Sequence, residues 1–231
     1  MLFSSPGRSG ESDLTQEVST AALKGKKRGA QSGGKKQKRN INGRAFRMAV
    51  TALILIALLS TAAYFVNQRL EMQTYRLEYA EAIKRESAEF QLDPYLVAAL
   101  IHCESSGMAD ACSPKGARGL MQIMPETGAW IAEKLAMPSF SEDLLYDADW
   151  NIHFGCWYLS YLLARYDGEQ TLALAAYNAG PGNVKKWLED PTYSEDGRLK
   201  EIPFAETEEY VKRVKAALEK YRELYEEELA L

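Results

Sequence analysis

The sequence predicts a mainly α domain preceded by a single membrane-spanning helix, and three observations lead there. Residues 48–66 form an uncharged apolar run with ALILIALLS near its centre. Downstream of it, apolar residues recur at helical spacing, and strand-like alternation is almost absent. The remaining composition is ordinary for one globular core in a chain of 231 residues.

The apolar run has to be read together with the charge around it. Residues 1–47 carry eleven Lys or Arg against three Asp or Glu, a local +8 that leaves −12 on the rest of a chain whose net charge is −4. A basic tail can serve nucleic acid, but this one leads straight into the apolar run. A membrane explains both features together, and no nucleic-acid partner is expected. Nineteen residues at ~1.5 Å each span roughly the hydrocarbon core of a bilayer. Lys24, Lys26, Lys27, Arg28, Lys35, Lys36, Lys38, Arg39, Arg44 and Arg47 all precede the run, which puts the N-terminus in the cytoplasm and everything after Asn67 outside. The same residues can also touch anionic headgroups. Cleavage near Thr61-Ala62-Ala63 would instead release a secreted protein, but the long Gly- and Lys-rich leader favours a retained anchor. A buried core helix of this length would be expected to show a polar face. The expected divisions are a basic, disordered cytoplasmic tail over 1–47, the anchor over 48–66, a short charged stalk over 67–74, and one domain over 75–231.

Within that domain, Tyr75, Tyr79 and Ile83, then Ala88 and Phe90, predict a first helix beginning near Tyr75. Asp93-Pro94, an N-cap followed by proline at the first helical position, opens a second helix through Leu96, Val97, Leu100 and Ile101 to about Ser105, with Gly107 ending it. A loop with Pro114, Gly116 and Gly119 follows, and Pro125-Glu126 starts a helix towards Leu135. Further helices are expected over 149–165, 171–179, 183–189 and 206–226, with no internal repeat.

Glu104 lies seven residues after Val97, four after Leu100 and three after Ile101, so it shares the stripe these residues turn inward. It also falls in its helix's last turn, where the dipole disfavours negative charge. Both effects raise its pKa and keep the acid protonated near neutral pH. Cys103, Cys112 and Cys156, outside the membrane, would permit one disulfide of open pairing, or could simply pack; their spacing matches no zinc motif. No glycine-rich phosphate loop, metal cluster or cofactor signature is visible.

Four ordered stretches accompany Glu104. The first is Glu104-Ser105 itself, closing the helix opened by Leu92-Asp93-Pro94. The second is Gly119-Leu120-Met121-Gln122-Ile123-Met124-Pro125, after the loop Ser113-Pro114-Lys115-Gly116-Ala117. The third is Ala175-Ala176-Tyr177-Asn178-Ala179-Gly180-Pro181-Gly182, and the fourth is Ile202-Pro203-Phe204 with Glu206-Thr207 and Tyr210-Val211. Taken singly, the second could be a buried turn and the third mere helix punctuation. In this order and separation they resemble the catalytic domain of the soluble lytic transglycosylase family, a branch of the lysozyme-like superfamily, over roughly residues 75–221.

The resemblance implies a lysozyme-like helical domain of the goose-type/SLT kind. Its substrate would be the glycan strands of peptidoglycan, cut between N-acetylmuramic acid and N-acetylglucosamine with Glu104 as acid and then base. It also implies that Ser113, Met121, Gln122, Tyr177, Asn178, Glu206 and Tyr210 line the groove or hold the saccharide. Tyr177 and Tyr210 offer rings and phenols, and Gln122 and Asn178 can donate and accept hydrogen bonds. Glu206 equally suits a helix start, where the dipole favours an acid. Glycosidases ordinarily use two carboxylates, but Gln122 falls where a second could stand, and Asp110 follows the helix too closely to be given a role. The nucleophile would then be the sugar's own C6 hydroxyl, leaving a 1,6-anhydro end, with the 2-acetamido group steadying positive charge at C1. A hydrolytic muramidase and a catalytically silent wall-binding scaffold are the two rival expectations.

Overall fold

The computed structural model describes residues 43–231. Most of the tail expected to be disordered, residues 1–42, therefore lies outside the described residues.

The apolar run sits inside one uninterrupted helix, α1 (Gly43–Thr74), which is long and apolar enough to cross a membrane. Its threonine hydroxyls are satisfied within the helix, Thr51 donating to the Arg47 and Met48 carbonyls and Thr61 to that of Ala57. Such back-bonding leaves no hydroxyl hydrogen unpaired at those two positions. Residues 67–74, expected as a stalk, continue α1 as helix. Near its end Lys220 reaches both carboxylate oxygens of Glu71 at 3.1 Å.

The helix expected near Tyr75 starts later, as α2 (Ala80–Phe90). The reason is long-range: the Tyr225 and Tyr221 hydroxyls donate to the Tyr75 and Arg76 carbonyls at 2.8 and 2.9 Å, while the Tyr75 ring packs on His102 and Tyr221. Carbonyls taken by side chains from the far end of the chain are not free to accept from the next helical turn. Tyr79, at φ 59°, then turns the chain into α2.

α3 (Pro94–Ser105) begins as expected, the Asp93 carboxylate accepting from the Tyr95 N–H at 2.9 Å, and ends on Ser106 in the left-handed region, one residue before Gly107. Leu96 through Ile101 are all buried. A helix buried on every side is the centre of a core, and α3 packs along α8 (Ala205–Leu224), which turns Tyr210, Val211, Val214, Leu218 and Tyr221 inward at helical spacing. Each fully buried Leu, Ile or Val contributes roughly 1.5–3 kcal/mol.

Around this pair lie α4 (Pro125–Lys134), α5 (Ala148–Arg165), α6 (Gln170–Ala179) and α7 (Pro181–Glu189). Carboxylates cap two of them: Asp147 accepts from the Trp150 N–H, and Glu169 from those of Thr171 and Leu172. A 3-10 turn, Glu142–Tyr146, precedes α5. The sequence reading missed the small hairpin β1 (Ser194–Glu195) and β2 (Arg198–Leu199). Its signal was present, since Asp196-Gly197 takes positive φ at both positions, as a tight hairpin turn demands. Among the described residues Cys103, Cys112 and Cys156 are free thiols, with Cys156 buried and Cys112 exposed, so the disulfide left open by the sequence is not formed.

Candidate active site

The site is assembled by three hydrogen bonds that join the four sequence stretches to one another. Tyr210, on α8, donates its hydroxyl to Glu104 Oε1 at 2.5 Å, tying the fourth to the first. Tyr177, near the end of α6, donates to the Met121 carbonyl at 2.8 Å, tying the third to the second. The Thr207 hydroxyl donates to Asn178 Oδ1 at 2.8 Å, tying the third to the fourth.

Glu104 sits in the last turn of α3, partly exposed at the surface of the core. Burial of its carboxyl pushes its pKa up to about 7, against the opposing pull of the Tyr210 hydroxyl and the Arg213 charge. Desolvation wins because water that would solvate the anion is replaced by apolar neighbours and by a single donor. The groups that shift it are burial, the Tyr210 hydroxyl and the Arg213 charge, with no carboxylate among them, and Asp110 is exposed on the following loop. Burial raises the Tyr177 and Tyr210 phenols well above their ordinary range, with the Glu104 charge adding to it, so both remain neutral donors.

The second stretch is held as a rigid loop by a residue the sequence reading passed over. Asn151, fully buried on α5, accepts from the Met121 N–H at 2.7 Å and donates to the Arg118 and Leu145 carbonyls at 2.9 and 2.7 Å. One amide thus satisfies three backbone groups of two loops, a role visible only once the chain is folded.

The expected groove residues fall into two sets. Met121 is 0 % exposed, its sulfur packed against Gly155, so its side chain is core and only its carbonyl serves the site, through Tyr177. Tyr210 is 2 % exposed; its ring is not a stacking surface, and it acts by holding Glu104. Both were expected to line the groove or hold the saccharide; in the structure their side chains are buried, one on the acid and the other in the core. Gln122 stands at φ 47° and spends its amide N–H groups on the Ala111 and Gly119 carbonyls, which leaves its carbonyl oxygen for a ligand. Ser113 accepts from the Ala117 N–H at 3.0 Å and keeps its own proton to donate. Asn178 is exposed and its carbonyl oxygen accepts from Thr207, and Glu206 is exposed in the first turn of α8.

One further cluster could in principle hold a metal: Glu86, Glu89 and His153 bring ligand atoms within 4.8 Å of one another. The buried Glu86 is already engaged, with one oxygen on Arg85 and the other on His153 Nδ1 at 2.6 Å. That arrangement satisfies a buried carboxylate internally.

The mainly α fold, with a buried carboxyl in the last turn of its central helix, is that of a lysozyme-like helical domain, and the solved structures it resembles are lytic transglycosylases. The family model described as the transglycosylase SLT domain matches residues 81–198, just over half of the chain, and the chain belongs to that family. It is 35% identical over 153 residues to the soluble lytic murein transglycosylase of Escherichia coli (strain K12), covering 65% of this chain and 24% of that protein. It is 26% identical to a membrane-bound lytic murein transglycosylase C of Actinobacillus pleuropneumoniae serotype 5b, over 62% of this chain and 46% of the other. Among solved structures, it resembles an inactive glutamate-to-glutamine mutant of lytic transglycosylase Slt from Pseudomonas aeruginosa. That likeness has a TM-score of 0.59 and 36% identity, covering 65% of this chain and 25% of that one. The chain thus spans about a quarter of the length of the soluble transglycosylases it matches. The family match ends at residue 198, before the fourth stretch, which the Tyr210–Glu104 and Thr207–Asn178 hydrogen bonds tie to the site.

Proposed function

We propose that this chain is a membrane-tethered lytic transglycosylase that cleaves the β-1,4 bond between N-acetylmuramic acid and N-acetylglucosamine in peptidoglycan without consuming water. One observation carries the reading: the carboxyl of Glu104 is held by the Tyr210 hydroxyl on the inward stripe of α3, where burial pushes its pKa up to about 7 and no carboxylate is among the groups that shift it. Glu104 donates its proton to the bridging oxygen as the C1–O bond breaks. The C6 hydroxyl oxygen of the muramic acid then bonds to C1, and its proton passes to Glu104, restoring the acid. A two-carboxylate glycosidase would need a partner about 5–9.5 Å away to act as nucleophile or to activate water. Family membership supports the same chemistry, as does the relative whose glutamate-to-glutamine mutant is inactive.

Mass spectrometry of the products checks this directly. Digestion of peptidoglycan is expected to yield muropeptides with 1,6-anhydro ends, each lighter than the reducing-end form by one water. Reducing ends would instead assign a hydrolytic muramidase.

The proposed topology keeps α1 as a retained anchor, with residues 1–47 in the cytoplasm and the domain from residue 75 onward outside. The basic residues that precede the apolar run support it. A relative named as membrane-bound is consistent with it. Protease added to cells stripped of their outer layers should remove the domain and spare an N-terminal tag. Loss of the tag with survival of the domain would reverse the orientation.

A further inference from the structure

Two side chains on the inward face of α8 reach the site, three residues apart in sequence. Tyr210 holds the acid, and Thr207, only 2 % exposed in the first turn, holds Asn178. Residues three apart share one face of a helix, and at ~1.5 Å per residue the rise between them is ~4.5 Å. α8 therefore sets the proton donor at the end of α3 and the amide at the end of α6 in a fixed register, about one helical turn apart.

An amide can offer a ligand either its oxygen or its N–H groups, and the Thr207 hydroxyl decides which. Its proton has one acceptor among the described residues, Asn178 Oδ1 at 2.8 Å. With the amide turned over, an N–H group would meet the hydroxyl oxygen, and the hydroxyl's own proton would be left unpaired on a side chain that water barely reaches. Burial of Thr207 thus selects one of the two orientations. The oxygen is spent on α8, while the amide N–H groups of the exposed Asn178 have no acceptor among the described residues. What is left for a ligand is a pair of donors, whose partner has to be an acceptor such as a hydroxyl or acetamido oxygen.

We propose that Thr207 is a positioning residue for the saccharide: it fixes the Asn178 amide with its N–H groups available to an acceptor oxygen of the amino sugar, in register with Glu104. The proposal rests on the reading of the chain as a glycan-cleaving enzyme. Thr207 acts only through Asn178; it neither touches the sugar nor takes part in proton transfer.

The test compares Thr207→Val with Thr207→Ser in the full-length protein in detergent, assayed on soluble, uncrosslinked peptidoglycan strands. Valine removes the hydroxyl and keeps the shape, and water can take its place at the exposed Asn178, so the fold should melt within a few degrees of the wild type. kcat/KM is expected to fall about five- to tenfold, the worth of one hydrogen bond, mainly through a higher KM. The pH midpoint of kcat should not move, because Tyr210 still holds Glu104. Serine restores the hydroxyl and should come within about twofold of the wild type. An unchanged KM in Thr207→Val, or a Thr207→Ser as impaired as it, overturns the proposal. A calorimetric arm, in the Glu104→Gln background with N-acetylglucosamine hexamer, does not depend on turnover. There Thr207→Val should weaken binding about five- to tenfold, and Asn178→Asp, which still accepts the Thr207 hydroxyl but has no N–H to offer, at least as much. Undiminished affinity in either variant overturns the assigned orientation. Failure of the wild-type protein to cleave any glycan would count against the proposed function alone and leave the calorimetric result standing.

Discussion

Glu104→Gln is expected to lower turnover of peptidoglycan by roughly 10²–10⁴-fold, the range that general acid–base catalysis contributes, while the domain stays folded. Glutamine keeps the shape and can still accept the Tyr210 hydroxyl, but it cannot donate and recover a proton at the bridging oxygen. The same variant should also be more stable than the wild type at alkaline pH. The folded-state pKa of Glu104 is raised from 4.5 to about 7 by burial. Between those values the native state therefore holds a proton that the unfolded chain releases, and stability falls as pH rises. The penalty is absent below the lower value and complete above the higher one. It is at most about 3 kcal/mol, less solvent screening at this partly exposed carboxyl. Thermal melts at pH 5 and pH 8 should show the variant and wild type alike at the lower pH. At the higher, the variant should melt several degrees above the wild type. A fully active variant, or one destabilised at both pH values, would reject the assignment of this residue as a buried acid.

The second large effect concerns the loop rather than the acid. Gly119→Ala is expected to destabilise the domain by several kcal/mol and to abolish activity with it. Gly119 stands at φ 76°, and a Cβ there would lie 2.1 Å from the Leu145 carbonyl oxygen and 2.3 Å from Asn151 Nδ2. Neither neighbour can give way. The first is backbone, and the second is the amide that holds Arg118, Met121 and Leu145 in place. Displacing Asn151 frees the Met121 backbone, the anchor for Tyr177. Gly116→Ala is the control, since that position has φ 90° but open space around it. It should cost only about 1–2 kcal/mol for the left-handed backbone. Denaturant melts of the two variants check the contrast, and similar losses in both would show that conformational strain, not the contact with Asn151, governs the loop.

These two residues also mark where the sequence was informative and where it was not. The helices opened by Asp93-Pro94 and Pro125 could be read in place because caps and prolines act on their own neighbours. Glu104 could be read as an inward-facing acid because Val97, Leu100 and Ile101 set its stripe. What escaped the reading depends on distant partners. The Tyr75–Tyr79 segment reads as helix until Tyr221 and Tyr225 take its carbonyls. Asn151 is one polar residue on an apolar helix until two loops fold onto it. Tyr210 and Met121 have side chains suited to a sugar, but the fold buries both and uses one to hold the acid and the other as core. Trp130 and Tyr161 belong to none of the four stretches, and only the packing of α4 on α5 brings them together at an open cavity.

Everything proposed about the chemistry depends on Glu104 holding its proton where an ordinary glutamate would have lost it. A pH titration of the protein by carbon-detected nuclear magnetic resonance, with the Glu104 carboxyl signal assigned by its loss in Glu104→Gln, measures this without reference to substrate. The account predicts a midpoint of about 7. A midpoint near the ordinary value of 4.5 would mean that the carboxyl is solvated and ionised at neutral pH, and would contradict the assignment of Glu104 as the proton donor.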